Sequence, residues 1–234
     1  MLKRSIVLAM TLLALSATSA SAIVGGRPDT THTYVGAAVT ATPQGTELCS
    51  GVLVGPTTFV TAAHCIIPGY PVFVVMRPTA APPFDAIGDG VVDPAWSHGG
   101  SGLSSSDRND VAVVQLRQAL PGPYAQLPEN VGDDDLLPNN QPVDVLGYGL
   151  PNPGTRQIAS AKVIPGGGAV APWFLKISAG TMCNGDSGGP VLAAGTSNVL
   201  AINSYGASAS CAAVGYAQRL DTADVLPWIR SFMQ

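Results

Sequence analysis

Residues 49–65 read CSGVLVGPTTFVTAAHC, a pattern that recurs along the chain. They contain two short and mainly apolar runs, Cys49–Val54 and Thr58–Ala63, with the turn-forming pair Gly55-Pro56 between them. Short runs rich in Val and punctuated by Gly and Pro are typical of β-strands, and a helical period of apolar residues is missing. The stretch therefore predicts two neighbouring strands.

Strand-like runs of the same kind lie on both sides of this stretch. They are Val35–Thr40, Val72–Met76, Val111–Leu116, Val143–Tyr148, Ile158–Ile164, Pro190–Leu192 and Val199–Tyr205. Short strands separated by turn residues predict antiparallel sheet folded into a barrel or a sandwich. The proline-rich segment Ala119–Asn130 divides the runs into two sets of similar size. We therefore expect two small barrels, at about residues 23–120 and 131–220, joined by this linker.

The first residues have the pattern of a signal peptide. A basic pair, Lys3-Arg4, precedes the apolar stretch Ile6–Leu15 and the small residues Ala20-Ser21-Ala22. The apolar stretch is well short of the ~20 residues that a membrane-spanning helix needs, which disfavours a membrane anchor. We therefore expect residues 1–22 to be a signal peptide, the mature domain 23–234 to be secreted and extracellular, and no membrane association after cleavage.

The end of the chain predicts a helix at about residues 222–233. Its apolar residues recur at helical spacing: Val225, Leu226, Trp228, Ile229 and Phe232. Asp221 or Thr222 can cap the first turn. Pro227 is unfavourable inside a helix and favours a start at that residue.

The composition excludes several classes of protein. The chain has 234 residues, 46% hydrophobic and 11% charged, with a formal net charge of −4, which is incompatible with disorder. Removing residues 1–22 would change the charge to −6 and leave Lys162 and Lys176 as the lysines. Without a basic stripe, nucleic acid is not an expected partner. The four cysteines contain no Cys-x-x-Cys pair, so we expect two disulfides and no metal site.

The serine in GDSGGP, residues 185–190, is the candidate nucleophile. Flanking glycines allow a sharp turn and the close approach of a substrate carbonyl to the Ser187 hydroxyl. The segment also matches the Gly-x-Ser-x-Gly elbow of α/β-hydrolases, in which a histidine follows the serine along the chain. The histidines here are His32, His64 and His98, all before Ser187, and the required helices are missing from the pattern. The α/β-hydrolase alternative is therefore strongly disfavoured.

Three further motifs accompany the serine segment. They are IVGG at residues 23–26, TAAHC at 61–65 and NDVAVV at 109–114. In this order and at these distances, the four motifs resemble those of the trypsin/chymotrypsin-like serine proteases, from Ile23 to the C-terminal helix. The resemblance implies an all-β fold of two antiparallel six-stranded β-barrels, with the active site in the cleft between them and a C-terminal α-helix. The few cysteines fit a compact bacterial-type member.

The resemblance assigns catalytic roles to three side chains. Ser187 would attack the scissile carbonyl and form an acyl-enzyme, with His64 as the general base and Asp110 as the orienting carboxylate. The backbone N–H groups of Gly185 and Ser187 would form the oxyanion hole. The implied function is that of a secreted serine endopeptidase that uses no cofactor and no metal.

Ile23 and Asp186 form a second implied pair. In the family, a free N-terminal ammonium inserts beside this aspartate and shapes the oxyanion hole. Cleavage after Ala22 would expose Ile23 directly, so we expect secretion itself to activate the enzyme without a separate zymogen. The paired ammonium should have a pKa above its unfolded value of ~8, and the active conformation should be lost as the pH rises through that pKa.

Two disulfides are implied as well. Cys49 would pair with Cys65 around the histidine loop. Cys183 would pair with Cys211 around the serine loop, residues 185–190. Both bridges would therefore secure segments that carry catalytic residues.

The pocket for P1, the substrate residue whose carbonyl is attacked, is also assigned by resemblance. Thr181 would lie at its base, and its walls would include Met182, Ser204, Tyr205, Gly206 and Val214. No carboxylate stands at the base to neutralise a Lys or Arg side chain. We therefore expect an uncharged P1 residue, with small or medium apolar side chains preferred and aromatic ones second.

Two alternatives remain open at this level. A secreted binding protein of the same fold that has lost turnover would normally lack one of the three catalytic residues, and all three are present. A preference for esters uses the same acyl-enzyme, and the residues do not exclude it. The expected partners are protein or peptide substrates, with proteinaceous protease inhibitors as further candidates, and a monomer is expected.

Overall fold

The structure is a computed structural model. It describes residues 25–98, 103–104, 106–132, 140–207 and 210–233. The expected signal peptide and Ile23 lie outside the described residues.

The described residues form short strands and one C-terminal helix. The strands are β1 (Arg27–Pro28), β2 (Val35–Thr42), β3 (Gly45–Gly55), β4 (Thr58–Thr61), β5 (Val72–Val75), β6 (Ala86–Val92), β7 (Ala112–Leu116), β8 (Pro142–Gly147), β9 (Gln157–Lys162), β10 (Phe174–Ile177), β11 (Pro190–Ala193), β12 (Val199–Gly206) and β13 (Gly215–Arg219). The helix α1 spans Val225–Arg230, and 3₁₀ turns occupy Ala63–Cys65 and Gly168–Val170. All strand pairings within the two sheets are antiparallel.

The first sheet is a closed barrel in the strand order β2-β3-β4-β7-β6-β5. The stretch that opened the sequence analysis supplies β3 and β4, with Val52 opposite Val60. Closure comes from β5, which pairs with both β2 and β6. The interior is filled by buried apolar side chains, among them Leu53, Phe59 and Val114. A closed barrel leaves no free sheet edge, which is how short strands such as these become stable.

The second sheet contains the strands in the order β1-β9-β8-β11-β12-β13-β10. A bridge between Val163 and Ile177 joins the end of β9 to β10, which curls the sheet into a second barrel. β1 is an added edge strand: Arg27 lies opposite Ile158 on β9. The all-β class with two sheets is therefore confirmed, and the expected six strands of the second sheet are joined by a seventh at its edge.

One hydrophobic core extends across both sheets. Val35 and Val52 of the first sheet share it with Leu146 and Ile202 of the second and with Ile229 of the helix. Burial of a continuous apolar surface provides the main favourable free energy for docking the two barrels. The cleft that carries the site is therefore formed by two bodies packed firmly together.

The linker Ala119–Asn130 is hydrogen-bonded to both barrels. Ala125 N–H donates to the Leu53 carbonyl in the first, and Gln126 N–H donates to the Ser197 carbonyl in the second. Because its backbone groups are paired with both sheets, the linker holds the barrels together.

The C-terminal helix begins ahead of Pro227 instead of at it. Asp224 is the N-cap residue and makes no side-chain cap bond, whereas the hydroxyl of Thr222, one of the two predicted caps, accepts a bond from Val225 N–H at 3.3 Å. Pro227 falls in the first turn, where a missing N–H leaves no helical bond unmade. Among the described residues, no helix has the length and apolar character needed to cross a bilayer.

A buried ion pair ties the N-terminal segment to the second barrel. Arg156 Nε donates to Asp29 Oδ2 at 2.9 Å, and both side chains are at most 1% exposed. Arg156 Nη1 also donates to the carbonyls of Val35 and Met76. Burial raises the pKa of Asp29, but hydrogen bonds led by that from His32 outweigh it and lower the pKa to about 2. The carboxylate therefore stays charged in the interior.

Candidate active site

An open cavity of about 390 Å³ collects most of the predicted site residues. Its lining includes His64, Asp110 and Ser187, together with Met182, Cys183, Asp186, Ser204, Tyr205, Gly206 and Cys211. His64 and Asp110 come from the first barrel, and the others come from the second. Residues far apart in the sequence thus meet at the boundary between the barrels.

His64 and Asp110 are joined by two hydrogen bonds. His64 backbone N–H donates to Asp110 Oδ1 at 3.0 Å, and the Nδ1–H donates to Oδ2 at 2.8 Å. With its proton on Nδ1, the imidazole has a free lone pair on Nε2. Burial lowers the pKa of His64, but the hydrogen bond and the negative charge of Asp110 raise it more, so the net shift is upward from 6.5.

Asp110 is also held by two residues of the second barrel. Ser204 on β12 donates its hydroxyl to Asp110 Oδ2, and Asp110 N–H donates to Gln218 Oε1 on β13 at 3.1 Å. Burial raises the pKa of Asp110, but the bonds from His64 and Ser204 and the charge of His64 lower it overall. The carboxylate is therefore kept ionised beside the imidazole.

The backbone before Asp110 is fixed by a further buried pair. Asn109 has φ +54°, in the left-handed region, and its Nδ2 donates to Asp93 Oδ1 at 3.2 Å. An Asn tolerates this conformation better than most residues because its short polar side chain can bond locally. The turn at Asn109 directs the next residue, Asp110, towards His64.

The serine loop lies between β10 and β11 and needs its glycines. Gly185 has φ +95°, and a Cβ there would be 2.7 Å from the Gly149 Cα. At Gly188, with φ +80°, a Cβ would be 2.1 Å from the hydroxyl of Thr61. Both contacts are too short for any side chain. The loop around Ser187 is thus pressed against the first barrel.

Ser50 is a buried residue of this region that the sequence analysis did not single out. Its N–H donates to the Ser187 carbonyl at 2.8 Å. Its hydroxyl donates to the Gly185 carbonyl at 2.8 Å and accepts from Tyr148 N–H at 2.9 Å. A serine in a strand carries no sequence signal for such contacts, so only the structure brings it to the site.

Asp186, which precedes Ser187 in the serine loop, is fully buried. Its Oδ1 accepts from Gly149 N–H at 2.8 Å and its Oδ2 from Cys183 N–H at 3.0 Å. Burial raises its pKa to about 7, and the two amide bonds offset this only in part. The predicted partner, Ile23, lies outside the described residues.

Two of the predicted pocket residues are placed away from the cavity lining. Thr181 turns its hydroxyl to the Ser178 carbonyl at 2.9 Å, and neither Thr181 nor Val214 is among the residues that line the cavity. Met182 does line it, and a Cβ on Gly215 would be 2.3 Å from the Met182 sulfur. The thioether therefore occupies space that Gly215 leaves open.

Both predicted disulfides are present. Cys49 is bonded to Cys65 and Cys183 to Cys211. Within the described residues, Cys49, His64 and Cys65 also form a group whose potential metal-ligand atoms lie within 4.8 Å of one another. Because the two sulfurs are joined to each other, they are not available as thiolate ligands.

A model of the trypsin family matches residues 23–229. The chain therefore belongs to the trypsin family. The match extends over both barrels and most of the C-terminal helix.

Relatives and solved structures agree with this assignment. Chymotrypsin-like elastase family member 3B of Macaca mulatta is 30% identical over 169 residues, which is 61% of this chain and 64% of that protein. Proproteinase E of Bos taurus is 31% identical over 169 residues, 61% of this chain and 65% of that protein. The chain thus spans less than two thirds of the length of these curated relatives. A solved structure of HL collagenase has a TM-score of 0.70 at 19% identity, covering 89% of this chain and 97% of that one, and so shares the fold.

Proposed function

We propose that the protein is a secreted serine endopeptidase, with Ser187 as the nucleophile, His64 as the general base and Asp110 as the orienting carboxylate. The observation that carries the proposal is the 2.8 Å bond between His64 Nδ1 and Asp110 Oδ2, at a cavity that Ser187 also lines. A serine hydroxyl is a weak nucleophile unless a base removes its proton during attack. The carboxylate leaves His64 Nε2 free for that task and stabilises the imidazolium that results.

The reaction would proceed through an acyl-enzyme. Ser187 Oγ attacks the substrate carbonyl while His64 takes the proton, and the imidazolium then protonates the leaving amine. Among the described residues, no hydrogen bond engages the N–H groups of Gly185 and Ser187, so both can donate to the developing oxyanion. Each such donor is typically worth about 3 kcal/mol in the transition state. Water then repeats the sequence on the ester and releases Ser187.

Activation would depend on a cation beside Asp186. The Asp186 carboxylate is 0% exposed, and a buried carboxylate stays ionised at neutral pH only beside a positive charge. Its pKa of about 7 reflects the lack of such a partner in the described residues. We assign this role to the ammonium of Ile23, exposed by cleavage after Ala22. The Asp186 carboxylate accepts from Gly149 N–H and Cys183 N–H. Through these bonds, the position of the ammonium would affect the backbone around the serine loop.

We further propose an uncharged P1 preference, led by small and medium apolar residues. The part of the cavity wall formed by Met182, Tyr205 and Gly206 carries no carboxylate. The carboxylates that line the cavity elsewhere belong to Asp107, Asp110 and Asp186, and each of these residues is buried. The Met182 thioether beside Gly215 narrows the space on that side.

Secretion and a bacterial-type character belong to the same proposal. The signal-peptide pattern of residues 1–22 supports export, and two disulfides are stable in an oxidising compartment. The substrates would be proteins or peptides, proteinaceous inhibitors would fit the same cleft, and the enzyme would act as a monomer.

The test begins with covalent labelling. The purified secreted protein is treated with a serine-directed phosphonofluoridate and its intact mass is measured, which also shows whether the chain begins at Ile23. One adduct is expected, absent in Ser187→Ala and retained in Ser231→Ala, a change at an exposed serine. A folded protein beginning at Ile23 that gives no adduct would overturn the protease proposal and leave a binding protein.

Turnover of P1-varied peptide amides then tests the substrate class. Cleavage after uncharged residues is expected. Hydrolysis of esters without amides would contradict the endopeptidase assignment, and cleavage after Lys or Arg would contradict the P1 preference.

A further inference from the structure

We propose that Ser50 is a positioning residue for the oxyanion hole, acting through the peptide planes of the two residues that donate to it. The inference rests on the proposed function and deepens it. Ser50 lies on β3 of the first barrel, whereas both donors lie in the serine loop of the second. It contacts neither His64 nor Asp110 by a hydrogen bond among the described residues.

Gly185 lies between two anchored peptide planes. The plane before it, which contains the Gly185 N–H, is held by Leu150 N–H, donated to the Asn184 carbonyl at 2.9 Å. The plane after it is held at both ends, because the Ser50 hydroxyl donates to the Gly185 carbonyl at 2.8 Å and Asp186 N–H donates to the Cys183 carbonyl at 3.0 Å. A glycine has the widest choice of backbone angles, so fixing both planes is what selects φ +95°.

Ser187 is held in the same way. The plane before it is fixed through the Asp186 carbonyl, which accepts from Gly189 N–H at 2.9 Å. The plane after it is fixed through the Ser187 carbonyl, which accepts from Ser50 N–H at 2.8 Å, and through Gly188 N–H, which donates to the Asn203 carbonyl at 2.7 Å. One residue of the first barrel therefore restrains the peptide plane that follows each of the two oxyanion donors.

The surroundings of Ser50 make these restraints strict. Its exposure is 0%, so water does not compete for the bonds. The hydroxyl accepts from Tyr148 N–H at 2.9 Å while it donates to Gly185, and this fixes the direction of its proton. A buried hydroxyl that both donates and accepts a hydrogen bond is held in one orientation. Its loss would leave the Gly185 carbonyl and the Tyr148 N–H without this partner.

Ser50→Ala removes the hydroxyl and keeps the backbone N–H. Removing a whole oxyanion donor lowers kcat by roughly 10²–10³-fold. The plane after Gly185 keeps the bond from Asp186 N–H to the Cys183 carbonyl when the Ser50 hydroxyl is lost, so kcat should fall by a smaller factor, about 10-fold. KM should change little, since the oxyanion exists only in the transition state. Affinity for a peptide aldehyde, whose adduct with Ser187 carries the same oxyanion, should fall by the same factor as kcat/KM. The midpoint of the pH profile should stay in place, because Ser50 does not bond His64 or Asp110.

Thr58→Val is the matched control. Thr58 is 1% exposed and donates its hydroxyl to the Phe232 carbonyl at 2.9 Å, away from the cavity. The Thr58→Val variant should lose about as much stability as Ser50→Ala does. Its kcat, measured per active site titrated with the phosphonofluoridate, should be unchanged. If Ser50→Ala loses stability but keeps kcat and aldehyde affinity per active site, Ser50 is only structural and the proposal is wrong. A folded wild-type protein without label or turnover would overturn the proposed function together with this inference, whereas an unaffected Ser50→Ala overturns the inference alone.

Discussion

The backbone N–H of Asp110 donates to the side-chain oxygen of Gln218 across 3.1 Å. Asp110 precedes β7 of the first barrel, and Gln218 lies on β13 of the second. The backbone that carries the carboxylate beside His64 is therefore held by the side-chain amide of Gln218, which reaches it from the opposite barrel. Gln218 is fully buried, so this bond is shielded from water.

Gln218→Met should impair both stability and turnover. The change keeps the length of the side chain and leaves Asp110 N–H without an acceptor, which costs about 1–3 kcal/mol of unfolding free energy. Urea unfolding and kcat per titrated site measure the two effects. The control is Gln157→Met: Gln157 is 1% exposed, and its Oε1 has no hydrogen-bond partner in the described residues. Equal losses in the two variants would contradict a specific role for Gln218.

The pH dependence of turnover should follow His64. Its pKa is raised by Asp110 above 6.5, and the base is active when neutral, so kcat/KM should rise with pH with a midpoint above 6.5. Asp110→Asn removes the charge that raises this pKa, and kcat should fall by roughly 10⁴-fold. Amide hydrolysis over a pH series provides the measurement. A midpoint at or below 6.5 in the unaltered enzyme would be incompatible with the paired geometry.

Ser204→Ala should move the same midpoint to higher pH. The Ser204 hydroxyl stabilises the Asp110 carboxylate, so its loss makes that carboxylate a stronger partner for the imidazolium and raises the pKa of His64. At neutral pH kcat/KM should fall a few-fold, and it should recover at alkaline pH. Ser160→Ala, which removes a hydroxyl bonded to the distant Asp144, should leave the profile unchanged. A profile that falls without shifting would argue against this role.

The N-terminus should decide how stability responds to pH. In a form that retains Ala22, Asp186 has a pKa of about 7 when folded and 3.8 when unfolded, so its stabilising contribution is complete below pH 3.8 and is lost as the pH rises to about 7. In the form that begins at Ile23, the ammonium should lower that pKa and remove the decline. Urea midpoints at about pH 4 and about pH 7 test this, in a Ser187→Ala background that prevents autolysis.

Asp186→Asn supplies the control for that comparison. The amide has the shape of the carboxyl group and does not titrate, so the two N-terminal forms should then respond alike to pH. An equal decline of both forms with Asp186 intact would contradict the pairing with Ile23.

Arg156→Met should be among the most destabilising single changes. It removes the guanidinium from the buried carboxylate of Asp29, which keeps its bonds from Thr31 and His32, and it removes a donor from the carbonyls of Val35 and Met76, at a total cost of about 3–5 kcal/mol. Arg117→Met breaks the exposed pair with Asp89 and should cause a much smaller change that disappears in high salt. Calorimetric melting of both variants provides the comparison. Similar melting temperatures for the two would show that the buried pair is not a stabilising contact.

The sequence predicted the parts of the molecule that depend on local patterns. The runs rich in Val became strands, and the glycines around Ser187 lie where a Cβ would clash. It missed β6, whose two glycines and aspartate interrupt the apolar pattern, and β13, where the buried Gln218 resembles an exposed residue. It also missed β10, whose four residues are too few to show a clear pattern. β1 was also missed, because two residues carry no periodicity.

The supporting residues of the site could not be predicted for a related reason. Ser50, Gln218 and Arg156 bond to Gly185, Asp110 and Asp29, respectively, each 108 or more residues away in the sequence. A single polar residue does not reveal so distant a partner. Their roles arise from docking, which brings together backbone groups that no local pattern relates. The serine loop can be recognised from its own sequence, whereas the contacts that hold it in place cannot.

Hydrogen bonds such as that from Ser50 to Gly185 place constraints on recombination between relatives. A chimera that takes one barrel from another family member inherits half of each pair, so its parts can fold individually and still lack an aligned oxyanion hole. A chimera with an exchanged barrel should therefore be active only when the residue that bonds to the exchanged barrel from the other side, such as Ser50, is transferred together with it. In this chain, activity therefore requires that the paired residues on the two sides of the barrel interface are kept together, because neither barrel aligns the oxyanion hole by itself.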